Sequence, residues 1–169
     1  MRGKADIIIG IDPDVNKSGV AYIMNKGVDV VLLSLALPEL FEYLKKAANI
    51  NNMKTVVVVE ASWLISFNWH VKRKDSRGVI SAKGLDIGRS QEVGRQIAKC
   101  ARYYGLEVVE RLPLKKIWKG KDGKITDEEI KAFMPIQGRT NQEERDAALL
   151  AWDYAGLPIR LARPLKSRK

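Results

Sequence analysis

The chain has 169 residues, 46% of them apolar, and carries 30 Lys and Arg against 20 Asp and Glu, a formal net charge of +10. That length suits one domain with a sizeable core, and the charge points to a polyanionic partner, nucleic acid before a membrane surface. A single His and a single Cys exclude an internal disulfide and the multi-His or multi-Cys sites of zinc, so a metal here would be held by oxygen ligands, the chemistry of magnesium or manganese.

Residues 6–12, 19–25 and 28–35 read as three strands, with Asn25-Lys26-Gly27 as a tight turn, and together predict an antiparallel meander. The apolar stripe Leu40, Phe41, Leu44 and Ala48 predicts a helix over 38–48. The valines of 55–60 run without polar alternation, which predicts a strand in the middle of the sheet, covered on both faces. Residues 61–88 are polar, basic and aromatic without clear periodicity and read as a basic arm beside the site, without regular structure. A helix over 90–104, stopped by Gly105, leads to a strand over 107–110, and strand, helix, strand suggests parallel pairing. A basic turn at Gly120-Lys121-Asp122-Gly123 precedes a short helix with Thr126 and Glu129 spaced as a capping box. The last helix covers 141–154 and ends at Gly156. Residues 1–158 are thus expected to form one domain and 159–169 a basic tail. No stretch approaches the roughly 20 apolar residues of a membrane span and no signal peptide is visible, so no membrane association and a cytoplasmic location are expected.

Four carboxylates stand out against this frame. Asp12 and Glu60 end the first and fourth strands, and Glu143 and Asp146 share one face of the last helix at i, i+3 spacing. A carboxylate at the end of a buried strand loses hydration, and the usual remedy is a cation or a strong hydrogen-bond donor. Together the four are candidate ligands for a divalent metal. Each also has a plainer reading: Glu143 and Glu144 as first-turn acids favoured by the helix dipole, Asp12 as the start of a turn before Pro13, Glu60 as a strand end facing solvent. Asp153, near the end of the same helix, is left outside the site. The basic residues fall in three patches: Lys72, Arg73, Lys74 and Arg77; Arg111 through Lys124, with Lys115, Lys116, Lys119, Lys121 and Lys124 as candidate DNA contacts; and the tail from Arg160. Walker, dinucleotide-glycine and nucleophile-elbow motifs are missing, so P-loop hydrolysis, hydride transfer and serine esterase chemistry lose their sequence support.

The order βββαβαβα, with acids ending the first and fourth strands and on the last helix, resembles the ribonuclease H-like fold, an α/β mixed five-stranded sheet flanked by helices. Ile9-Gly10-Ile11-Asp12-Pro13, Val58-Val59-Glu60, Pro113-Leu114-Lys115-Lys116 with Gly120 shortly after, and Asp146-Ala147-Ala148-Leu149-Leu150-Ala151 look like the RuvC family of crossover junction endodeoxyribonucleases. The resemblance runs from residue 7 to about 155. Departures are Asp14 where the family usually has glycine, a longer stretch after Glu60, and Glu143 where Asp or His is commoner, the marks of a divergent member of phage or mobile-element type. The resemblance implies metal-dependent resolution of Holliday junctions or related branched DNA by paired phosphodiester hydrolysis, leaving 5′-phosphate and 3′-hydroxyl ends. Two Mg²⁺ (or Mn²⁺) would sit in each site, Asp12 bridging them, Glu60 holding one and Asp146 with Glu143 the other. It also implies a catalytic cation at Lys115, with Lys116 beside it, near the scissile phosphate. Trp63 corresponds to an aromatic near the branch point that could stack on an unpaired base; its plainer reading is ordinary core packing. A junction's near two-fold symmetry is most simply met by a homodimer, to which the 90–104 helix would contribute. A noncatalytic branched-DNA binding protein and an RNase H-like nuclease of other structure preference remain as alternatives.

Overall fold

A computed structural model describes residues 5–24, 29–65 and 75–159. Strands β1 (Ile7–Asp12), β2 (Ser18–Met24), β3 (Asp29–Leu35), β4 (Thr55–Glu60) and β5 (Glu107–Arg111) form one sheet in the order β3-β2-β1-β4-β5. The first three pair antiparallel, whereas β4 joins β1 and β5 joins β4 in parallel. Helices α1 (Leu37–Ala48), α2 (Arg77–Tyr103), α3 (Asp127–Lys131) and α4 (Gln142–Ala155) complete the fold. The expected mixed five-stranded α/β sheet flanked by helices is what the chain adopts.

Strand periodicity divides the core into two layers. Ile7, Ile9, Ile11, Val57 and Val59 face α1 and α2, packing on Leu40, Leu44, Ile97 and Ala101. Ile8, Val56 and Val58 face the other way, against Ala147, Ala148, Leu150 and Ala151 of α4 and Ile130 of α3. The valine run of β4 is buried on both sides because helices cover both.

The stretch after Glu60 differs from its sequence reading. Residues 62–64 form a 3₁₀ turn, and α2 begins at Arg77 rather than near residue 90, with the Ser76 hydroxyl accepting from the Val79 N–H. The helix is 27 residues long, and its buried positions, Gly94, Ile97, Ala98 and Ala101, all lie in its C-terminal part. Its first half has no core to face, so it shows no apolar stripe, and Gly78, Gly84 and Gly88 further disguise it. Phe67, Trp69, His70, Lys72, Arg73 and Lys74 lie outside the described residues, as do the 25–27 turn and residues 160–169. Among the described residues, no helix is long and apolar enough to cross a membrane.

Candidate active site

Strand order and pleat bring the first two carboxylates together. In the parallel β1–β4 pair Ile11 lies beside Val59, so Asp12 and Glu60 follow one step later at the C-terminal ends of adjacent strands. Both continue the side of the sheet that Ile8 and Val58 turn toward α4. Crevices beyond the carboxyl ends of parallel strands are where α/β folds commonly place their sites.

Two glycines let α4 approach closely enough to add its acids. A Cβ on Gly10 would lie 2.3 Å from the Ala147 carbonyl oxygen, and one on Gly19 would lie 2.0 Å from that of Glu143. Gly19 is the ladder partner of Asp12, so the first turn of α4 rests directly beside the end of β1. That turn is fixed by a capping box in which the Asn141 side chain accepts from the Glu144 N–H at 2.8 Å and Glu144 accepts from the Asn141 N–H at 3.0 Å. Glu144 is thereby committed to the cap, and Glu143 and Asp146 are left to line the cleft with Asp12 and Glu60.

The cleft has a volume of about 600 Å³. Lys115, Lys116 and Lys124 lie on one wall, held by a tight loop in which Trp118 N–H donates to Gly123 O and Gly120 N–H to Lys124 O. The first half of α2 forms another wall through Gly84, Asp86, Gly88 and Gln91. The sequence places residues 61–88 beside the site but as an arm without regular structure, and it marks none of these four as lining residues. Lys119 and Lys121 belong to the same loop but not to the cleft lining, and the Lys119 N–H donates to Glu129 at 3.1 Å.

Trp63 is committed elsewhere. Its ring packs on Gly94 and its indole N–H donates to Glu110 at 3.2 Å, while the Arg95 guanidinium lies 5.7 Å from the ring centre. Asp153 pairs with Arg111 at 2.6 Å and does not line the cleft.

Electrostatically the floor is under-compensated. Burial raises the Asp12 carboxyl well above its ordinary range, and the charges of Glu60, Asp146 and Glu143 push it further. Burial and then Asp146 raise Glu60 to about 7, opposed by Lys116 and Lys124. Burial also raises Asp146, against Lys124 and a hydrogen bond from Gln142. Lys124 Nζ stands 3.7 Å from Asp146 Oδ2, and Gln142 Nε2 donates to Asp146 Oδ1 at 2.8 Å. Crowded, desolvated carboxylates of this kind favour either a proton or a hard cation. The donor set, all oxygen, fits a divalent ion of the magnesium class. As they stand, no three described His, Cys, Asp or Glu side chains form a ready metal cage; Asp146 accepts from Gln142 and pairs with Lys124. Gln142 and Arg145 were missed in the sequence, although the i, i+4 spacing of Gln142 and Asp146 is a recognised hydrogen-bonding signal.

The sequence matches no protein-family model and no curated protein. The fold is similar to that of RuvC from T. thermophilus, solved in complex with Holliday junction substrate, with a TM-score of 0.51, 12% identity, and coverage of 88% of this chain and 92% of that one. The fold is therefore ribonuclease H-like.

Proposed function

We propose that this protein is a metal-dependent endodeoxyribonuclease that resolves Holliday junctions or related branched DNA by paired phosphodiester hydrolysis. The observation that carries the reading is the gathering of Asp12, Glu60, Glu143 and Asp146 from three separate elements on one cleft whose wall is lined by lysines. The likeness to RuvC, a protein solved with a Holliday junction, supports the choice of substrate.

Asp12, Glu60, Asp146 and Glu143 would hold two Mg²⁺ or Mn²⁺ ions. Such ions supply a hydroxide nucleophile near neutral pH and neutralise the leaving oxygen. The chain's own residues do the rest. Lys115, Lys116 and Lys124 draw a phosphodiester into the cleft and offset its charge, which grows at the transition state. Glu60, with its carboxyl at about 7, exchanges its proton near neutral pH, so cation uptake is coupled to proton release. Gly84 and Gly88, which have open space where a Cβ would stand, keep the α2 wall low enough for a nucleic-acid backbone to pass. Hydrolysis leaves 5′-phosphate and 3′-hydroxyl ends, and two copies related by a two-fold axis make the paired cuts.

A second reading, a noncatalytic binder of branched DNA, draws on the lack of a ready metal cage among the described residues. The deciding experiment incubates the protein and its Asp146→Asn variant with a labelled four-way junction and a matching linear duplex, with Mg²⁺ or with chelator. Symmetric Mg²⁺-dependent nicks in the junction alone, lost in the variant, are expected. Tight junction binding without cuts in Mg²⁺ or Mn²⁺ would instead establish the binder, and equal cutting of duplex would move the protein to a nuclease of other structure preference.

A further inference from the structure

Arg145 immediately precedes Asp146 on α4 and spends its guanidinium inside the protein. Its Nε donates to the Ile125 carbonyl at 3.0 Å, one amino group donates to the Thr140 carbonyl at 2.7 Å and hydroxyl at 3.0 Å, and the other donates to Gln142 Oε1 at 2.9 Å. The Thr140 hydroxyl in turn donates to Asp127 at the start of α3. These hydrogen bonds fix the guanidinium between three pieces of chain.

The bond to Gln142 has a chemical consequence. A guanidinium only donates, so the amide of Gln142 must turn its oxygen toward Arg145, which leaves its NH₂ facing Asp146. That NH₂ occupies Asp146 Oδ1 at 2.8 Å, while Oδ2 lies toward Lys124, at 3.7 Å. The bond from Arg145 to Ile125, the residue after Lys124, fixes the base of the same wall.

We infer that Gln142 is a positioning residue for Asp146, its amide oriented by Arg145, so that the carboxylate turns Oδ2, the oxygen that Lys124 faces at 3.7 Å, toward a cation in the cleft. The inference rests on the proposed reading of Asp146 as a metal ligand. Groups that hold a ligating carboxylate are commonly worth about 10- to 100-fold in metal affinity. Neither the sequence resemblance nor the shared fold assigns a role to Gln142 or Arg145; the pair follows from the hydrogen bonds of this chain.

The test titrates the full chain, without DNA, with Mn²⁺ followed by water-proton relaxation, for the wild type and for Asp146→Asn, Gln142→Leu and Arg145→Lys. Gln142→Leu removes the donor from the first turn of α4, and Arg145→Lys keeps the charge but loses the fork. Melting temperatures and junction affinity in chelator are recorded alongside, since a folding defect would move both and a positioning defect neither. The expected result is loss of Mn²⁺ binding in Asp146→Asn and about 10-fold weaker binding in Gln142→Leu and Arg145→Lys, with melting and chelator-state DNA affinity of Gln142→Leu unchanged. Wild-type Mn²⁺ affinity in Gln142→Leu overturns the inference and leaves the metal reading standing; wild-type affinity in Arg145→Lys overturns the orienting step. Failure of the wild type itself to bind Mn²⁺ sinks the metal reading and the inference with it.

Discussion

Gly19 lies against Glu143 so closely that a Cβ on the glycine would stand 2.0 Å from the glutamate carbonyl oxygen. The atom it would meet is helix backbone, which cannot rotate aside, so α4 would have to lift from the end of β1. Gly19→Ala is therefore expected to cost about 1–3 kcal/mol and to reduce cleavage by more than the lost stability explains, because the lift separates Glu143 and Asp146 from Asp12. Urea unfolding gives the first quantity. Cleavage rates measured at a temperature where the variant is fully folded give the second.

The raised carboxyl of Glu60 sets a pH dependence whose sign is opposite to that of an ordinary salt-bridged acid. Its folded value of about 7 lies above the usual 4.5, so the stability it contributes is fully present below about 4.5 and is lost as pH rises through 7. Burial of Asp12 and of Asp146 acts in the same direction. In chelator the melting temperature should fall between pH 5 and 8, and Glu60→Gln should flatten that fall. Added Mg²⁺ should raise the melting temperature more at pH 8 than at pH 5, since the cation competes with protons for the same oxygens. A flat profile in chelator would remove the case for a desolvated acidic floor.

The parts of this site readable in the sequence are those whose residues serve two ends at once. Asp12 and Glu60 could be placed because each terminates a run of β-branched apolar residues, and their adjacency follows from the parallel pairing of β1 and β4. Asp146 could be placed by helix periodicity. The arm after Glu60 could be placed beside the site but its helical form could not, because residues 77–90 are helical without a buried face and periodicity records burial rather than helicity itself. The work of Gln142 and Arg145 was hidden for a related reason: hydrogen bonds leave no pattern in hydrophobicity, and Arg145 reaches Ile125, a residue 20 positions away.

Lys115 and Lys116 should separate DNA affinity from chemistry. Both line the cleft, and the charge of Lys116 is felt at Glu60 and Asp146. Replacing both with Ala is expected to lower the slope of log affinity against log salt concentration by roughly 2, about 0.9 for each phosphate that is no longer neutralised. Cleavage of saturated complexes should drop by a further factor of about 10 to 100 if the cations offset charge at the scissile phosphate. A changed salt slope with unchanged single-turnover rate would confine them to binding.

The packing of Trp63 predicts that it does not stack on a base. The ring fills the space above Gly94, where a Cβ would come within 2.4 Å of it, and the indole N–H is spent on Glu110. Glu110 also accepts from Arg102 at 2.7 Å, so the indole belongs to a bracket joining the 3₁₀ turn, α2 and β5. Trp63→Leu should consequently destabilise the fold by roughly 2–4 kcal/mol, in the range of large-to-small changes at packed aromatics. It should leave the ratio of junction to duplex affinity within about 2-fold of the wild type, since losing a stacked base would cost about 1–3 kcal/mol, or 5-fold and more, on the junction alone. Equilibrium binding to both DNAs in chelator, at a temperature where the variant remains folded, measures that ratio. A selective loss for the junction would mean that Trp63 leaves its seat on Gly94 when DNA binds, and α2 would have to shift with it.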